Sequence, residues 1–161
     1  MYVLSDSIVV REASQEDLDD VIAINMETLP EHYPREFWRE HLRKWNKSFL
    51  VAEVDGKIVG YVMCRVEWGW GFIKNKLLKK GHVISIAVRP GYRRRGIGEK
   101  LMVEAMRALK EHYGAEEIYL EVRVSNTPAI NLYKKLGFKI IKIIASYYLD
   151  GEDAYVMARE L

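Results

Sequence analysis

The sequence predicts a mixed α/β (α+β) fold of about seven strands and four helices in the order β-α-α-β-β-β-α-β-α-β-β. Three observations predict it. First, the apolar run His82-Val83-Ile84-Ser85-Ile86-Ala87-Val88 leads into Arg93-Arg94-Arg95-Gly96-Ile97-Gly98 and then an amphipathic run from Glu99 to His112, which reads as strand, turn and helix. Second, a helix of that length between two apolar strands makes a right-handed crossover, which implies parallel central strands. Third, Asp55-Gly56 and Asp150-Gly151 each separate β-like runs, the short-range signature of a hairpin and hence of antiparallel pairing.

Each element has a local reason. Ser7 to Ala13 alternates and is β-branched, a first strand. Ser14 caps a helix, with Asp17 as a variant of the capping box, and Leu18, Val21, Ile22 and Ile24 form its apolar stripe as far as about Thr28. Pro30 and Pro34 then break the helix and stiffen a loop that displays Glu31, His32 and Tyr33. A second helix covers about Arg35 to Trp45, with Phe37, Trp38, His41 and Leu42 on its apolar side. Ser48–Val54 and Lys57–Glu67 are strands. The aromatic stretch Trp68 to Phe72 is expected to cover a binding mouth, and Lys74 to Lys80 to be a solvated basic loop. Glu116–Arg123 is a further strand, with His82 expected at the start of the central one. Thr127-Pro128 reads as the N-cap and first residue of a helix that ends before Gly137. Phe138–Leu149 and Glu152–Leu161 complete the sheet.

A length of 161 residues fits one domain, 1–161, with a sizeable core. With 49% hydrophobic and 30% charged residues the composition is that of a soluble globular protein. A net charge of +2 gives no support to a nucleic-acid role. The single cysteine, Cys64, excludes an internal disulfide framework and fits a reducing compartment. No apolar stretch has the length of a membrane span and no signal peptide is visible, so a cytoplasmic protein with no membrane partner is expected.

The turn at 93–98 carries the first chemistry. Its glycines let the backbone approach a ligand, and the helix start behind it offers N–H groups and the positive end of the helix dipole to a phosphate. No Gly-Lys-Ser/Thr follows, and there is no third glycine, so it is neither a P-loop nor a dinucleotide-binding turn. Together with Gly81–Val88, Ile118–Val122 and Asn126–Phe138, this stretch resembles the GNAT acetyltransferase superfamily, in which R/Q-x-x-G-x-G/A binds the pyrophosphate of acetyl-CoA. Arg93, Gly96 and Gly98 take the motif positions. The stretches Thr28–Tyr33, Gly81–Val88 and Tyr147–Tyr155 further resemble the catalytic subunit of the N-terminal acetyltransferase A type and its archaeal relatives, with the ribosomal-protein alanine acetyltransferases as a related branch.

That resemblance implies a GNAT fold with splayed central parallel strands, acetyl-CoA as co-substrate and protein N-termini as acceptors. It places Arg93, Arg94, Arg95, Gly96, Ile97, Gly98, Glu99 and Asn126 on the cofactor. Ile86, Ala87 and Val88 supply backbone groups to pantetheine and a donor N–H to the acetyl carbonyl, where negative charge develops. Tyr133 faces the thioester sulfur and protonates the leaving thiolate. Glu31 lies near the substrate amine as base or binding group, and Tyr33, Tyr147 and Tyr148 line the peptide groove. His82 and Glu121 occupy positions that hold a catalytic water in a related branch.

The acceptor must be a free amine. At pH 7 deprotonation costs about 1 kcal/mol for an α-amine of pKa about 8 but about 4.6 kcal/mol for lysine of pKa about 10.4. A weak base acting through water suits the first, so the expectation is transfer to the α-amine of Ser-, Ala-, Thr- or Met-type N-termini. The alternatives are a lysine or small-amine acetyltransferase, or a non-catalytic acyl-CoA-binding module. A ribosome or auxiliary subunit is compatible as a partner. No metal is required: His82 and Glu121 offer two ligands, enough for an adventitious ion and short of a structural zinc site.

Overall fold

A computed structural model describes residues 7–161. Its elements are β1 (Ile8–Glu12), α1 (Leu18–Thr28), α2 (Arg35–Lys44), β2 (Phe49–Val54), β3 (Lys57–Trp70), β4 (Leu77–Val88), α3 (Ile97–Tyr113), β5 (Glu117–Arg123), α4 (Thr127–Lys135), β6 (Lys139–Ile144) and β7 (Ala154–Glu160), the order expected from sequence. The strands hydrogen-bond in the order β1-β2-β3-β4-β5-β7-β6. Two compact units are distinguished: one runs to Arg65 and includes Ile84–Ala108, the other joins Val66–Val83 to Leu109–Leu161. Among the described residues no helix is long and apolar enough to cross a membrane.

In the first unit β1, β2 and the leading part of β3 form an antiparallel meander. Asp55 and Gly56 turn the β2–β3 hairpin with φ of +50° and +76°, the doubly left-handed turn that Asp-Gly tolerates. The α1 stripe buries Leu18, Val21 and Ile24, and α2 buries Trp38, His41 and Leu42. Trp38 meets Tyr61 edge-on, with ring centroids 5.5 Å apart. Buried side chains of this size each contribute about 1.5–3 kcal/mol. The helix expected at Ser14 begins instead as a 3-10 turn, Gln15–Asp17. Its Asp17 carboxylate accepts from the Ser14 N–H at 2.7 Å and from Arg11 at 2.7 and 2.9 Å, so the acid serves a salt bridge as well as the cap.

In the second unit β7 lies between β5 and β6, antiparallel to both. The β4 strand pairs with β5 in parallel over Lys80↔Glu117, Gly81↔Ile118 and His82↔Tyr119. His82 is therefore inside β4, not at its start. The expected loop from Trp68 to Lys80 is mostly strand, because Trp68–Trp70 belong to β3 and Leu77–Lys80 to β4. What remains is a tight turn built on Glu117. This fully buried carboxylate accepts the N–H groups of Phe72, Ile73 and Lys74 at 2.7, 3.1 and 2.7 Å. Gly71 is required there, since a Cβ would lie 2.1 Å from the Lys74 carbonyl oxygen. Nor is the basic stretch a solvated loop. Lys80 is buried, donates to the Trp70 carbonyl at 3.0 Å and stands 4.0 Å from the Phe72 ring centroid. Lys74 and Lys76 pair with Glu116.

Two further boundaries move. The β6 and β7 strands stop at Ile144 and start at Ala154, so Asp150-Gly151 lies in an irregular connection rather than a two-residue hairpin. Arg123 holds this connection through Asp150 at 2.8 Å and Glu152 at 2.9 Å. The cap of α4 is Asn126, whose Oδ1 accepts from the Ala129 N–H at 3.3 Å, which moves Thr127-Pro128 inside the helix.

Glu117→Ala removes the shared acceptor of three N–H groups, at about 1 kcal/mol each, so the unfolding free energy should fall by about 3 kcal/mol. Chemical denaturation followed by tryptophan fluorescence measures this. An unchanged midpoint would remove Glu117 as the group that fixes the turn.

Candidate active site

The basic turn lies in the first unit. Pro90–Tyr92 make a 3-10 turn, Arg94 and Gly96 take φ of +64° and +78°, and α3 begins at Ile97. Ile97 is buried, so its side chain pins the helix start and leaves only its backbone for a ligand. Gly96 has nothing within 4 Å of where a Cβ would stand, which makes the outer side of the turn open. Arg93 reaches back to the Val88 carbonyl at 3.1 Å, bracing the turn against the end of β4. Arg94 is exposed, and the Arg95 guanidinium stands 5.2 Å from the Tyr92 ring. Gly98 and Glu99 complete the first helical turn. Ala87 is buried between the half-buried Ile86 and Val88, and its carbonyl oxygen lies 3.0 Å from where a Gly60 Cβ would stand.

The Glu31 loop belongs to the same unit and is held by a polar network that sequence reading missed. The buried Asn25 amide donates to the Glu31 carbonyl at 3.0 Å and to the Tyr61 hydroxyl at 3.1 Å. Tyr61 in turn bonds the Ser85 hydroxyl of β4 at 2.7 Å. Burial pushes the Tyr61 phenol up to about 12, so it remains a neutral hydroxyl in this network. Tyr33 stacks on Phe37 with centroids 4.5 Å apart, and its hydroxyl lies 3.5 Å from the Ile84 carbonyl. Glu31 is thus linked to β4 through Asn25, Tyr61 and Ser85, and Tyr33 through its hydroxyl. Asn25 interrupts an otherwise apolar stripe, which is the signal that could have found it.

In the second unit His82 and Glu121 do come together, with Nε2 and Oε1 2.7 Å apart. Two residues absent from the sequence expectation join them. The Glu67 carboxylate lies 2.9 Å from His82 Nδ1, and the Tyr119 hydroxyl donates to the other Glu67 oxygen. Tyr119 also stacks on the imidazole with centroids 4.0 Å apart. Burial by itself would push the His82 ring toward its neutral form, but the hydrogen bonds it makes to Glu121 and Glu67 outweigh it and raise its pKa above the ordinary value. With both nitrogens engaged by carboxylates, the ring offers no open position to the adventitious metal considered above. Among the described residues no group of three or more His, Cys, Asp or Glu is placed to hold one. Tyr119 and Glu121 are two apart on one strand and so share a face, a legible signal.

The remaining candidates are dispersed within this unit. Tyr133 is buried with its ring against Phe138, and burial pushes its phenol up to about 12, which keeps it protonated at neutral pH. Asn126 is occupied as the α4 cap. Tyr147 and Tyr148 meet edge-on at 5.0 Å in the β6–β7 connection, with the Arg123 guanidinium 4.0 Å from the Tyr148 centroid.

The raised His82 pKa has a consequence for stability. Its folded-state value lies above the unfolded one, near 6.5, so its contribution is complete below the unfolded value. That contribution is lost as pH rises through the folded value. The stability advantage of wild type over His82→Gln should therefore shrink on going from about pH 6 to pH 9, as read by denaturant unfolding at each pH.

Comparison with known proteins shows the family. Residues 18–138 match the acetyltransferase (GNAT) family. The chain is 58% identical over 154 residues to an N-alpha-acetyltransferase of Sulfurisphaera tokodaii, covering 94% of this chain and 92% of the relative. It is 39% identical to the N-terminal acetyltransferase A complex catalytic subunit NAA10 of Arabidopsis thaliana, covering 96% and 78%. Its fold superimposes on the crystal structure of Ard1 from Thermoplasma volcanium with a TM-score of 0.82 at 30% identity, covering 96% and 97%. The strand order, the basic turn before α3 and these matches together make the chain a member of the GNAT acetyltransferase family.

Proposed function

We propose that this chain transfers an acetyl group from acetyl-CoA to the free α-amino group of protein N-termini of the Ser, Ala, Thr or Met type. The observation that carries the reading is the proton-handling group of the second unit, in which His82 is bonded to Glu121 at 2.7 Å and to Glu67 at 2.9 Å. An amine of pKa about 8 needs little help to lose its proton, and a histidine made more basic than usual is matched to that task. The names of the Sulfurisphaera tokodaii and Arabidopsis thaliana relatives point the same way.

In this reading the turn Arg93–Gly98 and the N–H groups of Ile97, Gly98 and Glu99 hold the pyrophosphate. Ile86, Ala87 and Val88 take pantetheine and give an N–H to the acetyl oxygen, and Asn126 adds a later cofactor contact. The neutral α-amine attacks the thioester carbon: the N–C bond forms, the C–S bond breaks, the Tyr133 phenol gives its proton to the departing thiolate, and the second proton shed by the new amide nitrogen passes through water to restore the Tyr133 phenol. The ammonium proton leaves through a water to His82 and Glu121. Glu31, Tyr33, Tyr147 and Tyr148 receive the first residues of the peptide. The whole chain acts as one catalytic domain in the cytoplasm. Protein and nascent-chain N-termini are the partners, with the ribosome compatible beside them, and an auxiliary subunit is included because the Arabidopsis relative is named as the catalytic subunit of a complex.

A peptide panel tests the acceptor. Peptides with free Ser, Ala, Thr or Met termini should be acetylated far faster than blocked peptides with an internal lysine. Comparable rates on the two sets would sink the α-amine assignment. Gly96→Asp tests the cofactor turn. Aspartate tolerates the left-handed backbone and meets open space, so the fold is kept while a carboxylate faces the pyrophosphate. Calorimetry should then find acetyl-CoA affinity lowered by about 100-fold or more, two lost charge-assisted contacts at about 1.5 kcal/mol each. Wild-type affinity would reject the phosphate-holding turn.

A further inference from the structure

We infer that Glu67, held by the Tyr119 hydroxyl, is a positioning residue for the acetyl transfer: it keeps a proton on Nδ1 of His82 and so reserves Nε2 for proton exchange on the Glu121 side. This role rests on the function proposed above.

The inference follows from counting donors. A carboxylate only accepts, so each ring nitrogen of His82 facing one must carry a hydrogen, and only the cation carries two. When the ring gives up one proton to become a base, the other must stay, and the two carboxylates compete for it. Glu121 stands nearer, at 2.7 Å, but Glu67 is the carboxylate held at both of its oxygens. One of its oxygens accepts from Tyr119 and the other from His82 Nδ1 at 2.9 Å, while the Tyr119 ring lies flat on the imidazole. The Tyr119 ring is itself backed by Phe72, centroid 5.1 Å away, and by the Lys80 ammonium at 5.0 Å. Among the described residues Glu67 from β3 and Tyr119 and Glu121 from β5 face the imidazole, and Lys80 from β4 stands behind Tyr119.

The proton then has a defined route. The substrate ammonium gives one to a water, the water gives one to the Nε2 side of the His82–Glu121 pair, and the free amine forms its bond to the acetyl carbon. Nδ1–H does not move. Two ring nitrogens with unequal partners do what a triad aspartate does for its histidine, which is to select the tautomer and hold the ring.

Glu67→Gln makes the inference testable. Tyr119 O–H still needs an acceptor, so it takes the amide oxygen and turns the amide NH2 toward His82. Nδ1 must then be the lone-pair nitrogen, the neutral ring carries its proton on Nε2, and the base faces the wrong way. We expect kcat to fall by about 100-fold or more, as for a wrong-tautomer histidine, with the acetyl-CoA Kd little changed. In the wild type, nitrogen-15 spectra of the labelled imidazole should show the Nδ1–H tautomer above the His82 titration midpoint. In Glu67→Gln they should show Nε2–H, with the midpoint lowered by about one pH unit or more. Adding Tyr119→Phe frees the amide to turn its oxygen to Nδ1, so the double variant should recover part of the lost kcat, which a merely structural role for Glu67 does not predict.

An Nε2–H tautomer in the wild type, unchanged spectra in Glu67→Gln, or a double variant no better than the single one would each overturn the inference. If Glu67→Gln does not fold, Tyr119→Phe alone decides: it should lower the His82 midpoint and kcat in the same direction by a smaller factor, and no change in either overturns the role. A wild type inactive on every free N-terminus but showing the expected tautomers would fault the proposed function and this role in it. An active wild type whose His82 spectra ignore Glu67 faults the positioning alone.

Discussion

Alternate residues of a strand share a face, and on β5 that face is Glu117, Tyr119, Glu121 and Arg123. Four polar side chains in a row cannot be left half-buried without partners. Each one therefore recruits a different part of the second unit. Glu117 gathers the N–H groups of Phe72, Ile73 and Lys74 and so ends β3 and starts β4. Tyr119 fixes Glu67, Glu121 bonds His82, and Arg123 binds the β6–β7 connection through Asp150 and Glu152. The opposite face, Ile118, Leu120 and Val122, is buried and apolar, which sets the register that aims the polar row. A one-residue slip of β5 would bury the charges and expose the core residues together.

The first unit solves the same problem with neutral groups. Asn25, Tyr61 and Ser85 form a buried chain that links α1, β3 and β4 and ends on the Glu31 carbonyl. Such a network stabilises by only about 1 kcal/mol per bond, but leaving one member unpaired costs up to about 3 kcal/mol, so it acts on specificity more than on stability. Trp38, Tyr33 and Phe37 pack around it and hold the loop between Pro30 and Pro34 in one arrangement. The carbonyl of Glu31 is held by the Asn25 amide, which also bonds Tyr61.

Element order was legible because apolar periodicity, the prolines and the glycine turns are local signals, and strands such as His82–Val88 and helices such as Arg35–Lys44 are long enough to show them. What sequence did not reveal is long-range. Nothing near Phe72 says that its N–H will meet a carboxylate from β5, so Trp68–Lys80 read as loop although most of it is strand. Lys80 read as solvated because its partners, the Trp70 carbonyl and the rings of Phe72 and Tyr119, lie on other elements. The pairing of His82 with Glu121 was visible through resemblance. Glu67 was not, since a glutamate near the end of a strand is ordinarily a surface residue. Asn126 shows the local limit: two adjacent capping residues, Asn126 and Thr127, compete for one position, and Asn is at least as good a cap as Thr.

The charge of the His82 group bears on which amine it can serve. With the ring protonated between Glu67 and Glu121 the three carry one net negative charge, and with the ring neutral they carry two. A negative group attracts an ammonium, but the same field holds the proton on that ammonium. Attraction alone therefore works against acetylation unless the group itself takes the proton. In the proposed reaction His82 takes it, since two carboxylates make it more basic than a free imidazole. Proton transfer to it is then less uphill from an α-amine of pKa about 8 than from lysine at about 10.4. A stronger electrostatic bias would raise the affinity for both amines while deepening the ground state from which each must lose its proton. Two carboxylates on one histidine suit a weakly basic amine and give a strongly basic one little advantage.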